Sequence, residues 1–255
     1  MASWSENFDG VTVPALPSTI SVDNGTVITS TTTAFSSPNA IRQNVVDADP
    51  EYHSVSSGVG ADAVAQARIN FQQGSSFVGV FVGARRQSDG SAYIVQIKQG
   101  FSDSFVGVQL YKRSGGHSGT YTAIGGAVSV SLTTATWYLL KIVPTGTTIE
   151  VRLQRPSDSN WLNSSGSWVS GETSCISQTD ATISAAGELM VTTYSSTFTS
   201  PGTTEPPYLD SLSYADPGGG GGGFALQPGI GCGLIKGACE TNMQAGIGSG
   251  LVKCI

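Results

Sequence analysis

The chain of 255 residues carries 12 Lys+Arg against 18 Asp+Glu, a formal net charge of −6, and only 12% charged residues. This balance argues against a nucleic-acid partner, because proteins that bind a phosphate backbone present a basic patch. A membrane partner is not expected either, since the longest strongly apolar run, residues 77–84, is far shorter than the roughly 20 residues that cross a bilayer.

The N-terminus, residues 1–7, lacks the basic and apolar regions of a secretory signal. The composition, poor in charge and rich in Ser, Thr and Gly, is nevertheless typical of a protein that works outside cells. Together these features predict a protein that is made in the cytoplasm and acts on the surface of an extracellular particle such as a virion.

Apolar and polar residues alternate with a period of two in many segments of the first 216 residues, which predicts β-strands. The clearest examples are residues 65–72, 93–97, 106–110 and 149–154. Continuous apolar runs at 77–84 and 137–143 indicate buried strands. Turn dipeptides such as Asn24-Gly25 separate these segments, and no stretch has helical periodicity. The predicted fold class is therefore all-β, an antiparallel sandwich or jelly roll.

The composition changes abruptly after Asp216, where six consecutive glycines follow Pro217. The sequence thus divides into a β-sandwich over residues 1–216, a flexible Gly-rich linker over 217–223, and a C-terminal tail over 224–255.

Within the tail, residues 229–236 are echoed by residues 246–253. Apolar, glycine-rich segments suit close backbone approach and strand pairing with a neighbour, which predicts attachment or homo-oligomerisation. The positions of this predicted assembly segment are Ile230, Leu234, Ile235, Ile247, Leu251 and Val252. The competing prediction is that the tail covers an edge strand of its own sandwich.

Three of the four cysteines, Cys232, Cys239 and Cys254, lie in the tail, and the fourth is Cys175. The three are disulfide candidates, because a crosslink would staple a segment too small to have a core of its own. Free thiols are the alternative, and sequence alone does not determine the pairing.

Two tryptophans, Trp161 and Trp168, flank residues 162–167, a stretch with the composition of a hairpin turn. Either indole could stack on a sugar ring if it stands exposed in a loop. The alternative is that both are buried against a neighbouring strand, which is the commoner position of tryptophan.

Five segments follow one another in an order found in one superfamily. Residues 6–10 are similar to its first strand, 90–95 to a central hairpin, 137–142 and 146–151 to paired core strands, and 208–214 to a last strand beside the first. The chain therefore resembles the concanavalin A-like or laminin-G-like jelly-roll superfamily, which includes lectins, glycosidases, adhesion modules and phage structural proteins. The resemblance implies a possible Ca²⁺ site where the first and last strands meet, with Asp9 and Asp210 as ligands. The alternative is that both carboxylates bond backbone amides.

A catalytic role is not expected. Glycosidases of this fold carry paired carboxylates on one strand face, whereas Glu150 stands alone on its strand and Glu188 has no acidic partner at strand spacing. The two histidines, His53 and His117, give no recognisable triad, which is defined by geometry.

The function expected from these features is that of a non-enzymatic, virion-associated structural protein of a bacteriophage. It would be a capsid decoration or cement protein, or a component of a tail fibre, with a lectin-like outward domain and a tail that contacts copies of the chain or other virion proteins. The alternative is a carbohydrate-binding module that mediates adhesion to host-surface glycans. A glycosidase-like enzyme is the third hypothesis.

Overall fold

A computed structural model describes residues 2–36, 38–43, 51–54, 58–72, 78–99, 106–116, 118–195 and 207–217. This part of the chain contains 18 strands and no helix of the length and apolarity that crossing a bilayer takes. The following predicted features lie outside it: His117, the run of glycines, Cys232, Cys239, Cys254 and the six apolar positions of the assembly segment.

The strands are β1 Ser3–Glu6, β2 Ile20–Asn24, β3 Val27–Ser30, β4 Ala40–Gln43, β5 Glu51–Ser54, β6 Val64–Asn70, β7 Val78–Arg86, β8 Ala92–Gln99, β9 Gly107–Ser114, β10 Thr120–Ala123, β11 Val128–Ser129, β12 Trp137–Thr145, β13 Thr148–Arg155, β14 Asn160–Leu162, β15 Trp168–Val169, β16 Ile176–Thr179, β17 Glu188–Ser195 and β18 Tyr208–Ala215.

These strands form two antiparallel sheets. The ten-stranded sheet runs β15-β14-β13-β12-β6-β18-β4-β3, with β1 also paired to β18 and β16 to β13. The eight-stranded sheet runs β10-β9-β8-β7-β17-β5-β2, with β11 also paired to β9. The first and last strands meet, because Trp4 of β1 lies opposite Tyr214 of β18. The prediction of an all-β jelly-roll sandwich is confirmed.

The core lies between the sheets and follows from the two-residue period of the strands. On β12, Tyr138, Leu140 and Ile142 are buried in the core, while the residues between them are only partly covered. Their counterparts on the other sheet include Val82 and Val95. Each such side chain stabilises the fold by roughly 1.5–3 kcal/mol when fully buried, so these rows hold the two sheets face to face.

The apolar run at 77–84, of which residues 78–84 are described, forms most of β7. Val80 and Val82 point into the core, and Gly83 faces the opposite side of the sheet. A Cβ at Gly83 would lie 2.5 Å from Met190 Cγ, so the methionine packs directly over this glycine. Met190 and Ile94 are fully buried on that outer face, which explains why the run is apolar on both sides.

Candidate functional site

The turn predicted between the two tryptophans is present as the hairpin that joins β14 to β15. Asn163 organises it: the Asn163 amide donates to the Ser167 carbonyl at 2.9 Å, and Asn163 Oδ1 accepts hydrogen bonds from the amides of Ser165 and Ser167, each at 3.0 Å. Asparagine favours such turns because its side chain mimics a backbone carbonyl.

Gly166 brings the tip of this hairpin against another part of the sandwich. Its φ is 80°, a left-handed conformation that side chains other than glycine rarely adopt. A Cβ at Gly166 would lie only 2.4 Å from the carbonyl oxygen of Ser129 in β11. Glycine is therefore needed at this position both for the backbone conformation and for the close approach of the two segments.

Trp168, at the start of β15, is half-buried and held by two neighbours. Its ring stacks on Tyr138 with centroids 5.8 Å apart and an interplanar angle of 28°, and the guanidinium carbon of Arg155 lies 4.8 Å from the indole centroid. Tyr138 Oη accepts a hydrogen bond from the Thr133 amide at 2.8 Å, and Arg155 Nη2 is 2.5 Å from Asp158 Oδ2. These contacts fix the orientation of the indole.

A groove of about 510 Å³ lies beside this tryptophan. Its lining residues are Val106, Ser129, Val130, Ser131, Gly166 and Trp168. The volume is within the range of ligand-binding clefts, and the lining combines a tryptophan, two valines, two serines and a glycine. We call this feature the Trp168 groove.

Trp161, the other candidate for sugar stacking, lies elsewhere. It pairs with Gln154 on the outer face of the ten-stranded sheet and is only 6% exposed, with Lys141 Nζ 4.8 Å from its ring centroid. The structure therefore separates the two tryptophans, and only Trp168 lines the groove.

The outer face of the eight-stranded sheet is strongly concave, as two long-range contacts show. Tyr121 on β10 is three strands away from Phe81 on β7, yet their ring centroids are 5.7 Å apart. Glu51 on β5 and Arg113 on β9 are four strands apart, about 19 Å in a flat sheet. Their side chains nevertheless form two hydrogen bonds, including one of 2.8 Å from Arg113 Nη2 to Glu51 Oε1.

The Glu51–Arg113 pair spans the concave face and is almost completely buried, with side chains 1% and 0% exposed. Arg113 also donates to the Gly90 carbonyl at 2.9 and 2.6 Å. Burial disfavours the charged guanidinium, but the hydrogen bonds and charge of Glu51, with Tyr121, outweigh it, so the pKa of Arg113 is raised. The pair thus links β5 to β9 across the concave face and stabilises the curvature of the sheet.

A charged cluster that the sequence did not reveal lies at one end of this concave face. His53 on β5 lies between two carboxylates, with Nε2 at 3.2 Å from Asp23 and Nδ1 at 2.9 Å from Glu188. Arg86 on β7 bridges the same two carboxylates, at 2.5 Å to Asp23 and 3.0 Å to Glu188. The Arg86 Nε also lies 3.8 Å from Glu51, which connects this cluster to the buried pair.

The cluster borders a cleft of about 420 Å³, whose lining includes His53, Arg86, Gln87, Ser88 and Glu188. The ionisable residues of the cluster come from β2, β5, β7 and β17, so no spacing along one strand could have identified it. Glu188 has no acidic partner at strand spacing in the sequence, but the sheet brings Asp23 close to it, on the other side of His53. Each of these carboxylates is paired with a cation, which gives the cleft fixed polar groups suited to binding a neutral polar ligand.

Asp210, one of the two predicted calcium ligands, is fully buried on β18 and serves the backbone. Its Oδ2 accepts hydrogen bonds from the amides of Phe35 and Ser36 at 2.8 and 2.9 Å, and its Oδ1 accepts one from the Ser211 amide at 2.5 Å. Burial raises the pKa of Asp210 to about 6, although these donors act in the opposite direction. These contacts match the alternative prediction, in which the carboxylate accepts hydrogen bonds from backbone amides.

Asp9, the other predicted ligand, bonds locally. Asn7 Nδ2 donates to Asp9 Oδ2 at 2.9 Å, and burial raises the pKa of Asp9. Calcium takes six to eight oxygen ligands, whereas the oxygens of Asp210 are already engaged by donors. No group of three or more His, Cys, Asp or Glu residues suited to a metal occurs in the described part of the chain. Asp9 Oδ1 is buried without a hydrogen-bond partner in the described structure, so the assignment of Asp9 and Asp210 as calcium ligands stays a prediction.

Cys175 is a free, buried cysteine whose Sγ lies 3.3 Å from the Val151 carbonyl oxygen. Burial raises the pKa of its thiol to about 12, so it is held as an unreactive thiol that packs in the core.

Comparison with protein-family models and with curated proteins finds no match. Among solved structures, the chain is similar to the exoplasmic/lumenal domain of VIP36 in its Ca²⁺/Man2-bound form, with 9% identity, a TM-score of 0.50, and 84% of this chain and 86% of that chain covered. It is also similar to the carbohydrate-binding module CBM66 from Bacillus subtilis, with 14% identity, a TM-score of 0.47, and 78% and 92% coverage. The β-glucanase of Bacillus licheniformis matches with 12% identity, a TM-score of 0.45, and 85% and 99% coverage. The similarity to the VIP36 domain shows a shared fold, an antiparallel sandwich of two β-sheets.

Proposed function

We propose that this protein is a carbohydrate-binding module that holds a glycan in the Trp168 groove. The observation that carries the proposal is the combination of an oriented, half-buried indole with two serines in one groove of about 510 Å³. A sugar ring presents an apolar face of C–H groups and a rim of hydroxyls, so it needs an aromatic surface and hydrogen-bonding groups together.

The contacts around Trp168 support a binding role because they already order the side chains that a ligand would otherwise have to immobilise. Tyr138 and Arg155 already fix the indole, and Gly166 fixes the hairpin tip against Ser129. A preorganised site loses less side-chain entropy when a ligand binds, so more of the contact energy appears as affinity. The VIP36 domain, which shares the architecture, is a Ca²⁺/Man2-bound form, and this agrees with a glycan as the ligand.

The test is a glycan array with the wild-type protein, followed by calorimetric titration of the best ligand. We expect Trp168→Ala to weaken binding at least about tenfold, which corresponds to about 1.4 kcal/mol. Trp161→Phe, a change at the buried tryptophan outside the groove, is the matched control and should leave the affinity unchanged. Because Trp168 packs on Tyr138, the variant must first be shown to be folded by circular dichroism.

Ser131→Ala offers a second variant, since Ser131 is exposed and its replacement leaves the packing intact. We expect it to weaken binding several-fold if its hydroxyl contacts the sugar. Failure to bind any glycan on the array contradicts the proposal. Binding that survives both groove variants but is lost in Arg86→Met would place the glycan in the charged cleft instead.

The virion-associated role is a separate hypothesis that rests on the C-terminal tail. Deleting the residues after Pro217 should leave a folded sandwich that no longer forms oligomers or joins the particle. If the truncated protein keeps its oligomeric state and still copurifies with particles, the hypothesis that the tail mediates assembly is wrong. The absence of catalysis is likewise a prediction, and sustained polysaccharide hydrolysis that is lost on substituting Glu188 or Asp23 would overturn it.

A further inference from the structure

Arg68 on β6 is a buried guanidinium with unmet hydrogen-bonding capacity. The residue is only 7% exposed, and neither its Nε nor its Nη1 has a hydrogen-bond partner in the described structure. A buried donor without an acceptor costs about 1–3 kcal/mol, and more when it is charged. Groups of this kind are rare in folded proteins, and they often mark a place where an ion, a ligand or a water molecule binds.

The adjacent carboxylate does not supply the missing acceptors. Asp210 lies directly opposite Arg68 on the neighbouring strand β18, but its two oxygens accept hydrogen bonds from the amides of Phe35, Ser36 and Ser211. Burial lowers the pKa of Arg68, and the charge of Asp210 only partly offsets that effect. Asp210 therefore contributes charge at this place without satisfying the two N–H groups.

Aromatic rings orient this arginine and border solvent. The Arg68 guanidinium carbon lies 3.7 Å from the centroid of Phe35, which in turn meets Trp137 edge-on at 5.8 Å. Phe35 and Trp137 are both half-buried. Stacking on the face of a ring leaves the edge of the planar guanidinium, where the N–H groups are, directed to the side.

A second arginine with an unmet donor lies on the same face of the ten-stranded sheet. Arg42 pairs with Tyr208, which precedes Asp210 by two residues and so shares its face. The Arg42 guanidinium carbon is 6.0 Å from the Tyr208 ring, and its Nε is buried without a hydrogen-bond partner in the described structure. Two guanidiniums with free donors thus flank Tyr208.

We propose that Arg68, with Arg42 at its rim, is a binding site for an oxyanion carried by a glycan, either the carboxylate of a uronic acid or a sulfate ester. The planar fork of arginine matches the paired oxygens of such groups, and charge-assisted hydrogen bonds of this kind are about twice as strong as neutral ones. That the anion belongs to a glycan rests on the proposed function. That Arg68 binds an oxyanion does not depend on it.

The test follows the Nε–Hε signal of Arg68 by NMR in the full-length protein, assigned by through-bond experiments. Sodium glucuronate is titrated against glucose, and sodium sulfate against sodium chloride at equal ionic strength. We expect a saturable shift of this signal with glucuronate or sulfate, and none with glucose or chloride. A response to glucuronate alone identifies a carboxylate site, and a response to both identifies a general oxyanion site.

Two variants separate this site from non-specific charge effects. Arg42→Gln should weaken the response to the anion several-fold, because it removes one donor at the rim. Arg152→Gln, the same change at an arginine that is already paired with Glu150 and Glu172, should leave it unaltered. An Arg68 signal that no anion moves overturns the proposal, and so does anion binding that calorimetric titration finds at full strength in Arg68→Lys. Trp168→Ala should leave the anion titration intact, so failure of the groove and failure of this site are distinguishable.

Discussion

Glu51→Gln removes the negative charge from the buried pair that Glu51 forms with Arg113 across the concave face. The two side chains are 1% and 0% exposed, and Arg113 is hydrogen-bonded to both oxygens of Glu51. Glutamine has nearly the same size, so the substitution changes the charge and leaves the packing volume almost unaltered. Arg113 would then keep the Gly90 carbonyl as an acceptor while its charge stays buried.

The expected loss follows from that uncompensated charge. Removing one partner of a buried ion pair costs about 3–5 kcal/mol, because the remaining ion cannot recover its hydration. In a domain of this size each kcal/mol lowers the melting temperature by about 2–4 °C, so Glu51→Gln should lower it by about 6–20 °C. This is a large part of the stability of an ordinary domain, which is about 5–15 kcal/mol.

Urea unfolding of the wild type and variants, followed by tryptophan fluorescence, measures this difference. Glu172→Gln is the matched control, since Glu172 pairs with Lys141 and Arg152 at 40% side-chain exposure, and such pairs contribute only about 0–1 kcal/mol. The double variant Glu51→Leu/Arg113→Met should recover most of the loss, because it removes both charges of the pair. If Glu51→Gln costs no more than the control, the argument from burial is wrong.

Three further outcomes are expected. Gly166→Ala should lower the free energy of unfolding by about 1–3 kcal/mol more than Gly171→Ala in urea melts, because both glycines have positive φ but only Gly166 faces a backbone oxygen at 2.4 Å; equal losses would contradict the contact. The raised pKa of Asp210, about 6 against 3.8, means that its contribution to stability is fully present below about pH 4 and is lost as the pH rises through 6. Relative to Asp210→Asn, the wild type should therefore lose about 2 kcal/mol between pH 4 and 7, and a difference that does not change with pH would refute this. Calcium or EDTA should leave the melting temperature unchanged within about 1 °C, and a rise with calcium that disappears in Asp9→Asn would instead support the calcium hypothesis.

Much of the fold could be predicted from local pattern because strands have a period of two. Residues such as Ile149, Val151 and Leu153 alternate with polar neighbours, and all three are in the core of β13. The hairpin turn between the two tryptophans could also be predicted, because Asn163 and Gly166 are residues that turns require. These features depend on neighbours within a few positions, which is the range over which sequence pattern is informative.

The composition of the sites was decided by tertiary structure. The charged cluster unites Asp23, His53, Arg86 and Glu188 from four strands, and the Glu51–Arg113 pair exists only because the sheet curves. Both tryptophans are equal candidates in the sequence, but side-chain orientation puts Trp168 in a groove and Trp161 on a packed outer face. Alternation along a strand tells which residues share a face, whereas the curvature and order of the strands decide which faces meet, and that order is a property of the whole sandwich.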